Sequence, residues 1–456
     1  MDGSVASSAK THLPRILNMR DLVLLVIGTV IGSGIFLVPG AVLRPVNNSI
    51  AIAMTVWLTG GVLSLLGALT YGELSAMRPE AGGLYIFIRD TFGRLLAFLY
   101  GWTLFFVISS GSIATLAVAF SNYLSEFVPL SPWLAKLVSV LMIAMIAVVN
   151  VRGTRQSADL QNITTAIKVA AIVVMSAALL WFGKNPIVSS PVTSATGHAG
   201  SLLSGFGVAM ISVLWAYEGW QYATFSAGET MNPQRDFPRA FLIGSAALIG
   251  IYLFANLGYL AATGPITVAG SNRVAVTAVA AVIGPKAAKL VGLTILISIF
   301  SAANSIILTA SRVYYAMAND GLFFKRLSEV HPRFGTPAFA VTSAAIWAAV
   351  LAASGTFEQL LTYVIFIGWI FYALAAGSIF VYRKRAPAAS RPYRVPGYPY
   401  TPIVFIAAAM ALVVNTIVTQ PGRSVLGLGI VCLGIPAYAV WSRMAKRNNL
   451  GGTTEL

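Results

Sequence analysis

A chain of 456 residues that is 57% hydrophobic and only 10% charged is not an ordinary soluble protein, in which charged residues approach a quarter. Its mean hydropathy is +0.80, and uncharged stretches of about 20 residues recur along its length, which predicts an all-α polytopic membrane protein. The formal net charge of +16 would suggest nucleic acid in a soluble chain, but its distribution over the loops excludes that partner.

Residues 1–20 are polar and basic with no apolar signal-peptide core, and read as a cytoplasmic segment. The first expected span, about 21–43, holds the uncharged run Leu22 to Leu43, enough for roughly 33 Å of helix. Yet its middle, Gly28-Thr29-Val30-Ile31-Gly32-Ser33-Gly34-Ile35-Phe36, is rich in glycine, which least supports a continuous helix. Two readings apply. Gly28 and Gly32 match a close-packing motif of membrane helices; alternatively the backbone is unwound there and lines a polar cavity, as at a transporter's substrate site.

Spans two to five are expected at about 50–77, 93–122, 131–150 and 159–183. Between the second and third, residues 79–92 are too short and too polar at their ends to cross, and read as an interfacial or re-entrant segment. Lys168 stands nine residues past Asp159, about 14 Å into span five. A lysine there costs on the order of 2.5–3.5 kcal/mol unless paired or hydrated, and its depth argues against snorkelling.

Span six, about 204–229, contains Glu218-Gly219 near its middle, a poor pair for a lipid-facing helix. The remaining spans are expected at about 238–263, 287–317, 337–354, 359–381, 401–418 and 425–442, making twelve. Residues 264–285 form the longest external loop, Arg383–Tyr400 a basic, proline-rich linker, and 443–456 a cytoplasmic tail. The single cysteine, Cys432, reads as a small core residue, and no internal disulfide is possible. With the N-terminus inside, 22 of the 30 Lys and Arg lie on the cytoplasmic side, seven lie outside, and Lys168 stays within a span. The positive-inside rule therefore puts both termini in the cytoplasm of a multi-pass cell-membrane protein.

Spans one and six open two five-span halves, 21–183 and 204–381, followed by 401–442. Breaks at matching positions in two halves point to an inverted-repeat transporter, with no internal sequence identity required. A carboxylate would suit the free N–H groups of Ser33, Gly34 and Ile35 at the start of a half-helix. An ammonium would suit the carbonyls of Thr29, Val30, Ile31, Trp215 and Ala216, where the first half-helices end. Gly32 and Gly219 allow close approach of a ligand to the backbone. Trp215, Tyr217 and Trp220 surround the second break, as packing or anchoring residues or as part of the site.

The chain resembles the amino acid–polyamine–organocation superfamily of permeases, and within it the L-amino-acid transporter family. The resemblance rests on Gly32-Ser-Gly-Ile-Phe36, Tyr71-Gly-Glu-Leu74 with Gly82-Gly83, and Lys168. It continues with Trp215-Ala-Tyr-Glu-Gly-Trp220, Glu229-Thr-Met-Asn-Pro233, Phe300-Ser-Ala-Ala-Asn-Ser305 and Ser311-Arg312. It implies a LeuT-type fold of five plus five helices with two added, and alternating-access transport of amino acids. It further implies that Trp215 covers the substrate, that Tyr259 lies near it, and that Lys168 takes the place of a sodium ion, linking span one to Ser301 or Ser305 of span eight. Sodium-independent exchange of neutral amino acids is the expectation; proton symport, or carriage of cationic amino acids or polyamines on Glu218, is the alternative. Glu218 can instead be protonated or hydrogen-bonded to the unwound backbone, and Glu73 and Glu229 read as gate or packing residues. The family's animal members pair with a glycoprotein through an external cysteine; Asn122–Trp133 has none, so no disulfide-linked heavy subunit is expected.

An enzyme is a poor alternative, because His12, His198 and His331 are the only histidines and all fall outside the spans. No cofactor or metal is expected. A channel would favour filter loops or charged rings over paired broken helices, and a sensor would carry a signalling domain.

Overall fold

A computed structural model describes residues 13–186, 199–354, 357–419 and 421–451. Residues 1–12 and 452–456 of the expected terminal segments, with Lys10, His12 and His198, lie outside the described residues.

Helix α1 (Met19–Val30) begins at a capping box, in which Asn18 accepts from the Asp21 N–H and Asp21 accepts from the Asn18 N–H. It stops at Val30, and the chain resumes as α2 (Gly34–Leu37) and α3 (Pro39–Leu43). α4 (Ile50–Met77) follows, then the short α5 (Leu84–Phe92). α5 is too short to cross, and most of its residues are buried rather than lying on the surface. α6 (Arg94–Thr103) runs through one π-helical stretch, Leu104–Ile108, into α7 (Ser109–Leu124). Next come α8 (Pro132–Arg152), α9 (Thr154–Phe182) and α10 (Ala199–Ala216). α10 gives way to a 3-10 helix, Trp220–Glu229.

α11 (Pro233–Gly270) is kinked at Gly264, whose φ of +73° precedes Pro265. The expected long external loop is therefore partly helical, with the end of α11 and α12 (Val274–Val282). α13 (Pro285–Asn319), α14 (Ala338–Ser354), α15 (Phe357–Arg385), α16 (Tyr400–Thr419) and α17 (Pro421–Gly451) complete the chain. Among the described residues nine helical stretches are long and apolar enough to cross a membrane. The other three expected spans are the interrupted α10, the shorter apolar α14, and α15.

The interior is built around α1, which packs on α9, α11, α13 and the 3-10 helix. α1, the α6–α7 pair and α13 are the most enclosed spans, and α17 is the most exposed. Cys432 sits on α17 and is exposed, so the expectation of a core cysteine is wrong: an apolar span at the periphery turns its small residues outward to lipid.

The end of the bundle that carries the start of α1 is laced by ion pairs. Arg155 holds Asp21 through two 2.8 Å bonds, and Arg383 holds Glu73 at 2.9 and 2.6 Å. Arg89 reaches Asp320 at 3.1 Å. Burial opposes the charge of Arg89, but Asp320 and Asp90 outweigh it and hold its guanidinium above the usual arginine range. Deepest is the fully buried pair of Arg312 and Glu229, 2.5 Å apart. Thr154 bridges both partners at 2.8 Å, and the Glu229 carbonyl accepts from the N–H groups of Ile16 and Leu17.

Cutting Arg312 to alanine strands a buried carboxylate, so thermal unfolding in detergent should show a loss of about 3–5 kcal/mol. Replacing Arg312 and Glu229 together with leucine should recover most of that loss. Equal losses in the single and double variants would mean that the pair contributes through shape rather than charge.

Candidate functional site

The two interruptions meet. A Cβ on Gly34 would stand 3.2 Å from both the Cα and the Cβ of Ala216, and one on Gly219 would stand 2.9 Å from the Thr29 carbonyl oxygen. Gly219 also adopts φ +128°, a conformation that only glycine enters readily. Small residues thus let one broken backbone lie against the other.

At the first break the N–H groups of Ser33, Gly34 and Ile35 donate no hydrogen bond among the described residues, and the Thr29 carbonyl accepts none. The other carbonyls expected for an ammonium are already engaged. Val30 O accepts from Gly32 N at 2.9 Å and from the Tyr252 hydroxyl at 3.2 Å. Ala216 O accepts from the same hydroxyl at 3.0 Å, and Trp215 O from Glu218 N at 3.2 Å. Ile31 O takes bonds from two side chains, described next. A carbonyl has two lone pairs, so Val30, Trp215 and Ala216 can still accept, but Thr29 is the one left wholly open.

Lys168 is fully buried. Its Nζ donates to Gly28 O and Ile31 O, each at 2.6 Å, and makes no ion pair among the described residues. It therefore closes off the last turn of α1, whose carbonyls lose their helical partners when the helix stops. The contact from α13 comes from Ser298, which donates to Ile31 O at 2.9 Å and Gly32 O at 2.8 Å. Neither Ser301 nor Ser305 makes it. Ser301 accepts from Gln161 at 3.1 Å and Thr164 at 3.0 Å, and the Ser305 hydroxyl has no partner. The three serines share a face of one helix at spacings of three and four, and the one nearest the break is the one that reaches it.

A cavity of about 100 Å³ lies between the breaks, α7 and α13. Thr29, Val30, Gly32, Ser33 and Gly34 line it from the first break, and Trp215, Ala216, Glu218 and Gly219 from the second. Ile31, Ile35, Tyr217 and Tyr259 do not line it. Tyr217 turns toward α4, packing on Trp57 with ring centroids 6.0 Å apart and on Tyr252 at 4.9 Å. Tyr259 is fully buried outside the lining, and Tyr252, two turns earlier, is the tyrosine that touches the breaks.

The far wall escapes the sequence reading. Ser112, Thr115 and Leu116 of α7, Tyr222 of the 3-10 helix, and Ala302 and Ile306 of α13 complete the cavity. Ser112 is bonded back to Ile108 O at 2.7 Å, whereas the Thr115 hydroxyl has no partner among the described residues. Glu218 accepts from the Tyr372 hydroxyl of α15 at 2.9 Å. The arrangement offers N–H donors for an anion, an open carbonyl for a cation a few ångströms away, and a small polar and apolar wall between them. It holds no acid–base pair aimed at a reacting atom.

The sequence profile described as amino acid permease matches residues 17–435. The chain is similar to the serine/threonine exchanger SteT of Bacillus subtilis, at 32% identity over 418 residues, covering 91% of this chain and 94% of that one. It is 30% identical to the human cystine/glutamate transporter over 451 residues, 96% of this chain and 88% of the relative. A third relative, the b(0,+)-type amino acid transporter 1 of Mus musculus, is 30% identical over 415 residues, 90% and 84% of the two chains.

Proposed function

Since the chain belongs to the amino acid permease family, a family of membrane transporters and not of enzymes, we propose that it exchanges small neutral L-amino acids without sodium. The observation that carries this reading is the pair of facing breaks around a cavity of about 100 Å³. Ser33, Gly34 and Ile35 receive the substrate carboxylate at the N-terminus of the half-helix, and Thr29 O, with spare lone pairs on Val30 and Ala216, receives the ammonium. Trp215 and Tyr222 close the side-chain end, where Thr115 offers a hydroxyl to a short substrate. The Ile31 and Ile35 side chains are buried behind the first break and Tyr217 packs behind the second, while Tyr259 takes no part in this reading.

Lys168 supports sodium independence, because its Nζ occupies the α1 carbonyls that an ion would need. The similarity to a serine/threonine exchanger supports exchange. We read the architecture as twelve spans in a LeuT-type arrangement. Residues 21–183 and 204–381 form the inverted repeats, 401–442 the two added spans, and both termini lie in the cytoplasm. A disulfide-linked heavy subunit is not part of this reading.

The test is uptake of radiolabelled serine, alanine, leucine and arginine into sodium-free proteoliposomes, with and without amino acid inside. Uptake of serine and alanine that requires internal substrate supports exchange. Uptake into empty vesicles would replace exchange with uniport or proton symport, and flux of none of the four would overturn the substrate assignment.

Glu218 favours a second reading, because its carboxylate lines the cavity with one hydroxyl partner and would suit a cationic side chain. On the neutral reading Glu218→Gln keeps the Tyr372 bond and should leave the KM for alanine within about threefold. Loss of arginine uptake alone in that variant would move the protein to the cationic class.

A further inference from the structure

A second concave feature lies away from the substrate cavity, on the bundle's outer surface between α8 and α14. It is a groove of about 560 Å³ whose floor is made of small residues, among them Ala144, Ala147, Ala345 and Ala349. It extends from Val140 to Arg152 along α8, a length of about 18 Å at 1.5 Å per residue. That is a little over half of the roughly 30 Å hydrocarbon core, the depth of one leaflet.

The two ends of the groove differ in chemistry. Apart from Thr342 its walls are apolar until Arg152, which lines the end of the groove, is exposed, and has no hydrogen bond or ion pair among the described residues. Phe334 also lines this end. The Arg333 guanidinium lies 5.5 Å from the Phe334 ring centroid, so a second exposed cation stands at the same mouth. A slot one leaflet deep, mostly apolar along its length and doubly cationic at its headgroup end, matches a lipid rather than a soluble solute.

We propose that this groove is a binding site for one anionic glycerophospholipid, with an acyl chain on the alanine floor and the phosphate on Arg152 and Arg333. The site is fastened to the core. Val151 O accepts from Thr336 at 2.8 Å, and Asn150 donates to Asn304 of α13 at 2.9 Å. A bound lipid would therefore brace α8 and α14 against each other, next to the helix that carries Ser298.

The protein, equilibrated in vesicles of equal phosphatidylglycerol and phosphatidylcholine, is released into mild detergent and weighed by native mass spectrometry. One phosphatidylglycerol should be retained about tenfold more than phosphatidylcholine, in line with two basic side chains at the headgroup. The double variant Arg152→Gln, Arg333→Gln should lose that preference. Ala144→Phe, at an exposed position of the floor, should displace both lipids while leaving the arginines intact. Arg443→Gln, an exposed basic residue on α17, should change nothing. Equal retention of the two lipids by the unmodified protein, or full phosphatidylglycerol retention by the double variant, would overturn the proposal. Retention unaltered by Ala144→Phe would overturn the acyl-chain placement, and an equal loss in Arg443→Gln would reduce the effect to general surface charge.

Discussion

Replacing Lys168 with methionine is expected to lower amino acid transport by two orders of magnitude or more. The side chain is isosteric enough to fill its space, so the effect is electrostatic rather than a packing defect. Gly28 O has Lys168 as its hydrogen-bond donor, and without it a buried carbonyl is orphaned at a penalty of about 1–3 kcal/mol. Ile31 O keeps its bond from Ser298, so the break loosens at its α1 side while still tethered to α13. The unwound segment that presents Ser33, Gly34 and Ile35 then loses its fixed position, and small misplacements are costly in a site that works by orientation. Uptake into proteoliposomes, read beside a thermal unfolding curve, checks this. Ser298→Ala should be milder, within about tenfold, because Lys168 still holds Ile31 O and Gly32, whose carbonyl loses its donor, lines the cavity where water can replace the bond. Normal transport by the methionine variant would show that Lys168 only fills space.

Gly219→Ala should nearly abolish transport as well, through geometry rather than charge. The position has φ +128°, strained for any residue with a Cβ, and the added carbon would lie 2.9 Å from the Thr29 carbonyl oxygen. Neither backbone can yield easily, since Thr29 is at the end of α1 and Gly219 stands between α10 and its 3-10 continuation. The two breaks would be pushed apart across the cavity, and the open Thr29 carbonyl would be covered. A control is available in the same region. Gly207 lies inside α10 with open space where a Cβ would go, so Gly207→Ala should keep wild-type transport and be neutral or stabilising by up to about 1 kcal/mol. Transport rates of the two variants, at matched protein incorporation, separate a local geometric effect from a general intolerance of glycine replacement.

Both breaks were legible because they violate what a lipid-embedded helix needs: three closely spaced glycines in one, an acid beside a glycine in the other. Lys168 was legible for the same reason. What stayed hidden were choices between equivalents. Ser298, Ser301 and Ser305 occupy one helical face, and nothing local says which level faces the break. Tyr252 and Tyr259 are seven residues apart and likewise share a face, so the tyrosine nearer the interruption could not be told from its neighbour. Ser112 and Thr115 carry no signal, because hydroxyls are ordinary in membrane helices, and the π-helical stretch at Leu104–Ile108 shifts the phase of α7 in a way periodicity does not register. Cys432 was misread because an apolar span at the rim and one in the centre have the same composition. The buried face of α5 was hidden for a related reason: its shortness is visible, its enclosure by α13 and α15 is not.

The Tyr252 hydroxyl lies within reach of Val30 O and Ala216 O at once, yet a phenol has a single proton to give. One donor is therefore divided between the two broken segments, and only while they stand side by side. Any motion that separates them hands the whole bond to one and frees the other carbonyl. A phenylalanine in its place would remove that allocation without altering the fit of the ring between Trp57 and Tyr217. The hydroxyl thus works as an indivisible token, and which of the two carbonyls holds it records how the two broken segments stand relative to each other.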